Sequence, residues 1–404
     1  MKRFAPLAPA ILLFLFGLAL RLPWLVGDPV PLGGDEGAYH ALAVRLAEGK
    51  GFVGDSGAPT AWRTPGLPAV LSLIYRVMGP DPRVARVVLV VVTSLTVPAL
   101  YALALLLFQR RVIALLIGLS WAGLPTSRRL AGALLGEPLA ALLVTLGLLL
   151  VVLAMRRRSV LLAGAAGLLL GYAVLIRVFL LPMLVAPLAW LVTRKAWRLS
   201  AALLVVTGVI LGAWGVRNAL RMGTFTLSTQ TAVVWQGNNA WTRGSWPGNM
   251  RAQRELAGKY PHFAQLDEVG RSRVFVREAM NEVMRNPGRT LWLLPRKMLI
   301  FLSPGSYLGF DWLYAGLFPF ALLGTGYLAM QPGYRHTLWL LGVPVLGGLV
   351  VSLVVFGDPR FRHPVDPLIV VLAWVGLAEV ASRLGLLAAL KPDDARGDPL
   401  QRTA

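Results

Sequence analysis

The sequence contains no cysteine and only four histidines in 404 residues. Neither a disulfide framework nor a thiolate metal site can be built from it. His40, His262, His336 and His363 are scattered without ligand-like spacing, so no imidazole metal motif is present either. Acids are also scarce, with 19 Asp and Glu against 40 Lys and Arg. There is no P-loop, no dinucleotide-binding glycine fingerprint and no G-x-S-x-G elbow. Their absence argues against ATP hydrolysis, redox chemistry and ester hydrolysis, and no organic cofactor is expected.

What the chain has in excess is apolar surface. Hydrophobic residues make up 56% of it and the mean hydropathy is +0.64. A soluble domain has no use for so much, so the bilayer serves as solvent for much of the chain. A net charge of +21 would direct attention to nucleic acid in a soluble protein. Here the basic residues punctuate apolar runs instead of forming one stripe. Anionic lipid and membrane topology account for them, and no nucleic-acid partner is expected.

Met1-Lys2-Arg3 precedes an apolar run from Phe4 to Val26 with no small-x-small cleavage site after it. That run is long enough for roughly 30 Å of hydrocarbon and reads as an uncleaved first span. Further runs lie near 84–108, 112–127, 136–154, 160–176, 178–193, 199–216, 311–330, 338–356 and 368–390, giving about ten spans. Arg110-Arg111, Arg156-Arg157-Arg158, and Arg194-Lys195 with Arg198 sit at span ends. An alternating path puts these clusters and Lys2-Arg3 on one side, so the positive-inside rule predicts both termini in the cytoplasm.

The predicted fold is an all-α polytopic inner-membrane protein. Residues 1–390 form one membrane-embedded domain and 391–404 a short cytoplasmic tail. Two large outer loops cover about 27–83 and 217–310. The cytoplasmic connections are too short to house a site, so function is expected on the outer face. Tyr39, Leu42, Ala43 and Leu46 recur at helical spacing in the first loop, and Gly49 and Gly51 end the run. Residues 67–78 and 287–303 are predicted as interfacial helices, while 224–250 reads as an irregular polar loop.

Asp35-Glu36 places two carboxylates just outside the first span, where a helix opens. A carboxylate there can take a proton from an acceptor hydroxyl, and Asp35 equally suits an N-cap after Gly33-Gly34. Glu137 begins a span at the hydrocarbon boundary, as an expensive buried acid or as a partner of the helix dipole. Arg63, Arg177, Arg217, Lys297, Arg360 and Arg362 all fall at outer boundaries on this topology. Arginine forks match phosphate oxygens and can stabilise a departing lipid phosphate. Any one of them alone more readily snorkels to the headgroups. Asp35 and Glu137 are compatible with a divalent cation, although nothing in their spacing requires one.

In order along the chain stand Gly34-Asp35-Glu36, Arg63-Thr64-Pro65-Gly66-Leu67-Pro68, Glu137, Arg217-Asn218, Gly237-Asn238-Asn239, Asn286-Pro287, Lys297 and Asp358-Pro359-Arg360-Phe361-Arg362-His363-Pro364. This series resembles the lipid-linked-sugar glycosyltransferases of the GT-C superfamily, in particular the family 39 type with its protein O-mannosyltransferases and lipid A aminoarabinose transferase. Leu67 and Phe361 stand where that family commonly has Tyr, and Gly136 where it often has Thr. The resemblance implies a polyprenyl-phosphate sugar donor, an acceptor lipid, glycan or protein, and an inverting transfer for which metal is optional. It implies Asp35 as base, with Glu36 and Glu137 supporting it or holding a cation. The phosphate and sugar would then be held by Arg63, Arg177, Arg217, Asn238, Asn239, Lys297, Arg360 and Arg362. The rival expectation is a transporter or flippase for a lipid-linked sugar, which calls for ionisable residues near the bilayer midplane. The span centres here are nearly free of them.

Overall fold

The computed structural model describes residues 7–25, 32–245, 250–306 and 309–386. Met1-Lys2-Arg3 and the 391–404 tail, on which the orientation partly rests, lie outside the described residues.

Helices dominate because a lipid-facing backbone must satisfy its own hydrogen bonds. Seven helical stretches are long and apolar enough to cross a membrane: Ala8–Leu25, Pro82–Phe108, Gly136–Arg157, Trp197–Met222, Trp312–Met330, Pro332–Val354 and Pro359–Arg383. Three shorter apolar helices, Arg111–Gly123, Val160–Ile176 and Val178–Thr193, fall on the other expected spans. The last opens as a 3-10 turn around Pro182, where the proline removes a helical donor.

Val160–Ile176 packs between Gly136–Arg157 and Trp197–Met222, and Trp312–Met330 runs along Asp366–Arg383. The second pair touches backbone to backbone: a Cβ on Gly376 would lie 2.1 Å from the Phe320 carbonyl oxygen. Small residues at the crossing permit that approach, the usual basis of helix association in lipid.

The expected interfacial helices are present. Gly66–Met78 buries Leu67, Leu71 and Tyr75 and exposes Leu73, Val77 and Met78. Pro287–Leu302 buries Leu293, Lys297 and Phe301 and exposes Leu291, Trp292 and Leu299. The 217–310 segment contains helices of its own. Met250–Lys259 and Glu268–Arg285 are helices, and Trp235, Ala252, Leu256, Val274 and Ala279 form a small core of their own between them. Between 224 and 245 the chain is irregular except for the short Ala232–Gly237 helix.

Candidate active site

Five side chains that are far apart in sequence meet at one end of the bundle. Asp35 lies in the first turn of the Gly34–Ala47 helix. The N-cap of that helix is Gly33, with no side-chain cap bond, so Asp35 is not spent on capping. One carboxylate oxygen accepts from Arg63 at 2.5 Å and the other from Arg360 at 2.6 Å. Through its Nε, Arg360 also donates to Oε1 of Glu137, which is fully buried and accepts from Arg177 on that same oxygen. The result is a chain of alternating charge: Arg63, Asp35, Arg360, Glu137, Arg177. Beneath it lies the Tyr39 ring, with the Arg63 and Arg177 guanidinium carbons 5.5 and 5.6 Å from its centroid, within cation–π range.

Local sequence explains how each member arrives. Glu137 opens the Gly136–Arg157 helix, and Arg177 ends Val160–Ile176. Gly66 and Gly136 flank Ile176 from two sides. A Cβ on Gly66 would stand 2.6 Å from the Ile176 backbone nitrogen, and one on Gly136 would stand 2.6 Å from its Cγ2. Only glycine lets the Arg63 segment and the start of the Glu137 helix close on Arg177 together. Arg360 sits in the Pro359–Arg362 turn, whose N-cap Asp358 accepts from the Arg360 backbone N–H at 2.8 Å. Burial pushes the Asp358 carboxyl up.

Burial opposes the charged form of Asp35, but the guanidinium groups of Arg360, Arg63 and Arg177 outweigh it and lower its pKa to about 2. Several buried atoms of the cluster have no hydrogen-bond partner in the protein: Glu137 Oε2, Arg63 Nε and Nη1, and Arg177 Nε. Buried polar atoms are nearly always paired, so this concentration marks a place built to receive polar groups from elsewhere. No group of three or more His, Cys, Asp or Glu converges among the described residues. The position between Asp35 and Glu137 is filled by the Arg360 guanidinium, which a cation bridging these carboxylates has to displace.

The remaining candidates stand outside the cluster. Glu36 turns to Arg86, 2.7 Å away. Arg217 donates to the Phe52 and Thr60 carbonyls at 2.6 and 2.8 Å and stacks on Trp214, clamping the segment that leads to Arg63. Arg362 is fully buried on Asp366 at 2.6 Å and on the Phe301 carbonyl, with Tyr314 against its face. Asn238 and Asn239 bond to the backbone of their own loop, and Asn238 also accepts from Lys297 Nζ at 2.9 Å. These residues tie together the segments around the cluster.

Lys297 is 1% exposed and, among the described residues, bonds to neutral oxygens, those of Asn238 and the Leu353 carbonyl. Burial lowers its pKa from the ordinary 10.5 to about 8. Between those values the unfolded chain holds a proton that the folded chain has released, so this group makes stability rise with pH. Thermal melts of the native chain and of Lys297→Met are expected to diverge in slope across pH 8 to 10.

Sequence reasoning gave no site role to three contributors. Tyr39 sits four residues after Asp35, on the same helical face; that spacing was available as a signal. Arg86 carried none. Neither did Glu268, which reaches from the start of the Glu268–Arg285 helix to the Thr60 hydroxyl at 2.5 Å and the Ala61 N–H at 2.8 Å, and also takes the Thr229 hydroxyl. It fastens the segment that carries Arg63. Glu268→Ala leaves three donors without their acceptor and is expected to lower stability by about 1–3 kcal/mol. Faster tryptic cleavage within 217–310 would reveal the loosened loop.

No protein-family model matches the sequence, and no curated protein matches it. Solved structures do. The Archaeoglobus fulgidus oligosaccharyltransferase in its apo form matches with a TM-score of 0.59 and 17% identity, over 98% of this chain and 52% of that one. ArnT from Cupriavidus metallidurans bound to undecaprenyl phosphate matches with a TM-score of 0.55 and 17% identity, over 99% and 67%. AglB from Archaeoglobus fulgidus, in complex with an inhibitory peptide and a dolichol-phosphate, gives 0.52 and 17% over 98% and 52%. This chain therefore spans about half the length of the archaeal protein. At this identity the likeness is one of architecture, and the chain shares the overall fold of these proteins.

Proposed function

We propose that the chain is a membrane glycosyltransferase. It moves a sugar from a polyprenyl-phosphate donor to an acceptor hydroxyl on the outer face of the cytoplasmic membrane. The observation that carries this reading is the alternating cluster, in which Arg63, Arg360 and Arg177 surround two carboxylates at one end of a lipid-embedded bundle. Two of the fold neighbours add weight, since they were solved with undecaprenyl phosphate and with dolichol-phosphate.

In this mechanism the sugar's bond to the phosphate oxygen breaks as the acceptor oxygen bonds to the sugar carbon from the opposite face. Asp35 takes the acceptor proton. The departing lipid phosphate gains charge, which Arg63, Arg360 and Arg177 stabilise. With a pKa of about 2, Asp35 is a weak base while both arginines hold it. A phosphate competing for Arg63 and Arg360 weakens that hold and strengthens the base in the donor complex. Glu137 touches no reacting atom in this scheme; it holds Arg177 and Arg360 in position.

The test is to offer the purified chain, in lipid, a panel of polyprenyl-phosphate sugars and to follow the loss of each. Consumption of one donor supports the transferase and identifies the sugar. If no donor is consumed with membrane extract as acceptor, while lipid-linked sugar crosses the bilayer of reconstituted vesicles, the chain is a flippase.

A further inference from the structure

Away from the charge cluster, the second outer loop carries a cleft of about 440 Å³ between the turn after Met250–Lys259 and the first half of Glu268–Arg285. Its walls are apolar and aromatic, formed by Tyr260, Phe263, Leu266 and Val274. Gly270, Arg273, Val274 and Arg277 line it from one helix, at spacings that share a single face.

The cleft lining contains no acid. Two acids adjoining the lining are already engaged: Asp267 accepts from the Gly270 N–H at 2.6 Å, and Glu278 accepts from Lys259 at 2.5 Å and from the Tyr260 hydroxyl at 2.6 Å. Lys259 thus has its counter-charge, whereas Arg273 and Arg277 have no acidic partner among the described residues. Both are exposed. The Arg277 guanidinium lies 5.2 Å over the Tyr260 ring, and the Glu278 bond fixes that ring. Two forks of unanswered positive charge, one of them over an aromatic ring, suit a ligand with an anionic group and a face of C–H bonds. A phosphorylated sugar has both.

The cleft is also coupled to the reaction centre. Gly270 in its wall is two residues beyond Glu268, which grips Thr60 and Ala61, and Arg63 follows two residues later. A ligand seated here is therefore held in register with the segment that carries Arg63.

We infer that this cleft docks the acceptor through a phosphorylated saccharide portion, apart from the hydroxyl that reacts. The inference rests on the transferase reading for the word acceptor, but its test requires no turnover. The probe is a fluorescein-labelled phosphorylated oligosaccharide, compared with its dephosphorylated twin. Binding to the full chain is read by anisotropy in phosphatidylcholine nanodiscs. The native chain is expected to bind the phosphorylated probe at least tenfold more tightly than the twin. Arg273→Gln with Arg277→Gln is expected to erase that preference with an unchanged thermal melt, and the corresponding pair of lysine substitutions to keep most of it.

Equal binding of the two probes by the native chain overturns the inference, as does an undiminished preference in the double glutamine variant. Phosphatidylglycerol nanodiscs supply the competing occupant. If anionic lipid alone abolishes probe binding to the native chain and the same two arginines set that competition, the cleft belongs to bilayer headgroups. Donor consumption is measured separately. Its failure alongside intact probe binding removes the transferase and leaves an anionic-glycan site.

Discussion

Asp35→Asn is expected to slow donor consumption by roughly 10²–10⁴-fold, the range that a positioned general base supplies. Asparagine keeps one oxygen for Arg63 or Arg360 but cannot carry away a proton, so donor binding should change far less than turnover. The native pH profile gives a second check. The pKa of Asp35 lies at about 2 in the free chain, and kcat/KM reports the free enzyme. This group therefore produces no acid limb between pH 4 and 6. Native turnover in the Asn variant would reduce Asp35 to an organiser of two arginines and move the base elsewhere.

Glu137→Ala acts on stability instead. Glu137 is 0% exposed and is the carboxylate shared by Arg177 and Arg360. Removing it leaves two guanidinium groups close together in a site from which water is largely excluded. Breaking a buried pair in this way costs about 3–5 kcal/mol, a large share of a membrane domain's stability. The variant is expected to melt far below the native chain in detergent, or not to accumulate in the membrane. Replacing both members of the pair, Glu137→Leu with Arg177→Met, should recover most of the loss, because no charge is then stranded on the Arg177 side. A melt of Glu137→Ala within a degree of native would show that the cluster is wetter and looser than its geometry implies.

Both expectations depend on contacts between residues 35, 137 and 360, which no local pattern announces. Arg177 illustrates the difficulty. A lone arginine at an outer turn usually snorkels to headgroups, yet here it is 7% exposed and turned inward to Glu137. Arg362 and Arg217 show the converse. Their place near span ends was legible, but their use as clamps on backbone carbonyls was not. Asp35 after two glycines matched a helix cap by local rules, and the cap fell to Gly33 because two arginines from distant loops claimed the carboxylate.

The sequence by itself determined the solvent, the helices and the end of the bundle where charge collects. Those follow from properties additive along the chain: apolar length against bilayer thickness, and basic residues at span ends. It also determined the two interfacial helices, whose amphipathic spacing is local. The pairing of charges was decided only by tertiary structure. An ion pair depends on which loops the packed helices bring within about 3 Å, and that in turn rests on close approaches such as Gly66 and Gly136 against Ile176. The small core inside the 217–310 segment was hidden for the same reason, since it forms only when Trp235 meets the faces of two helices that are polar on their own.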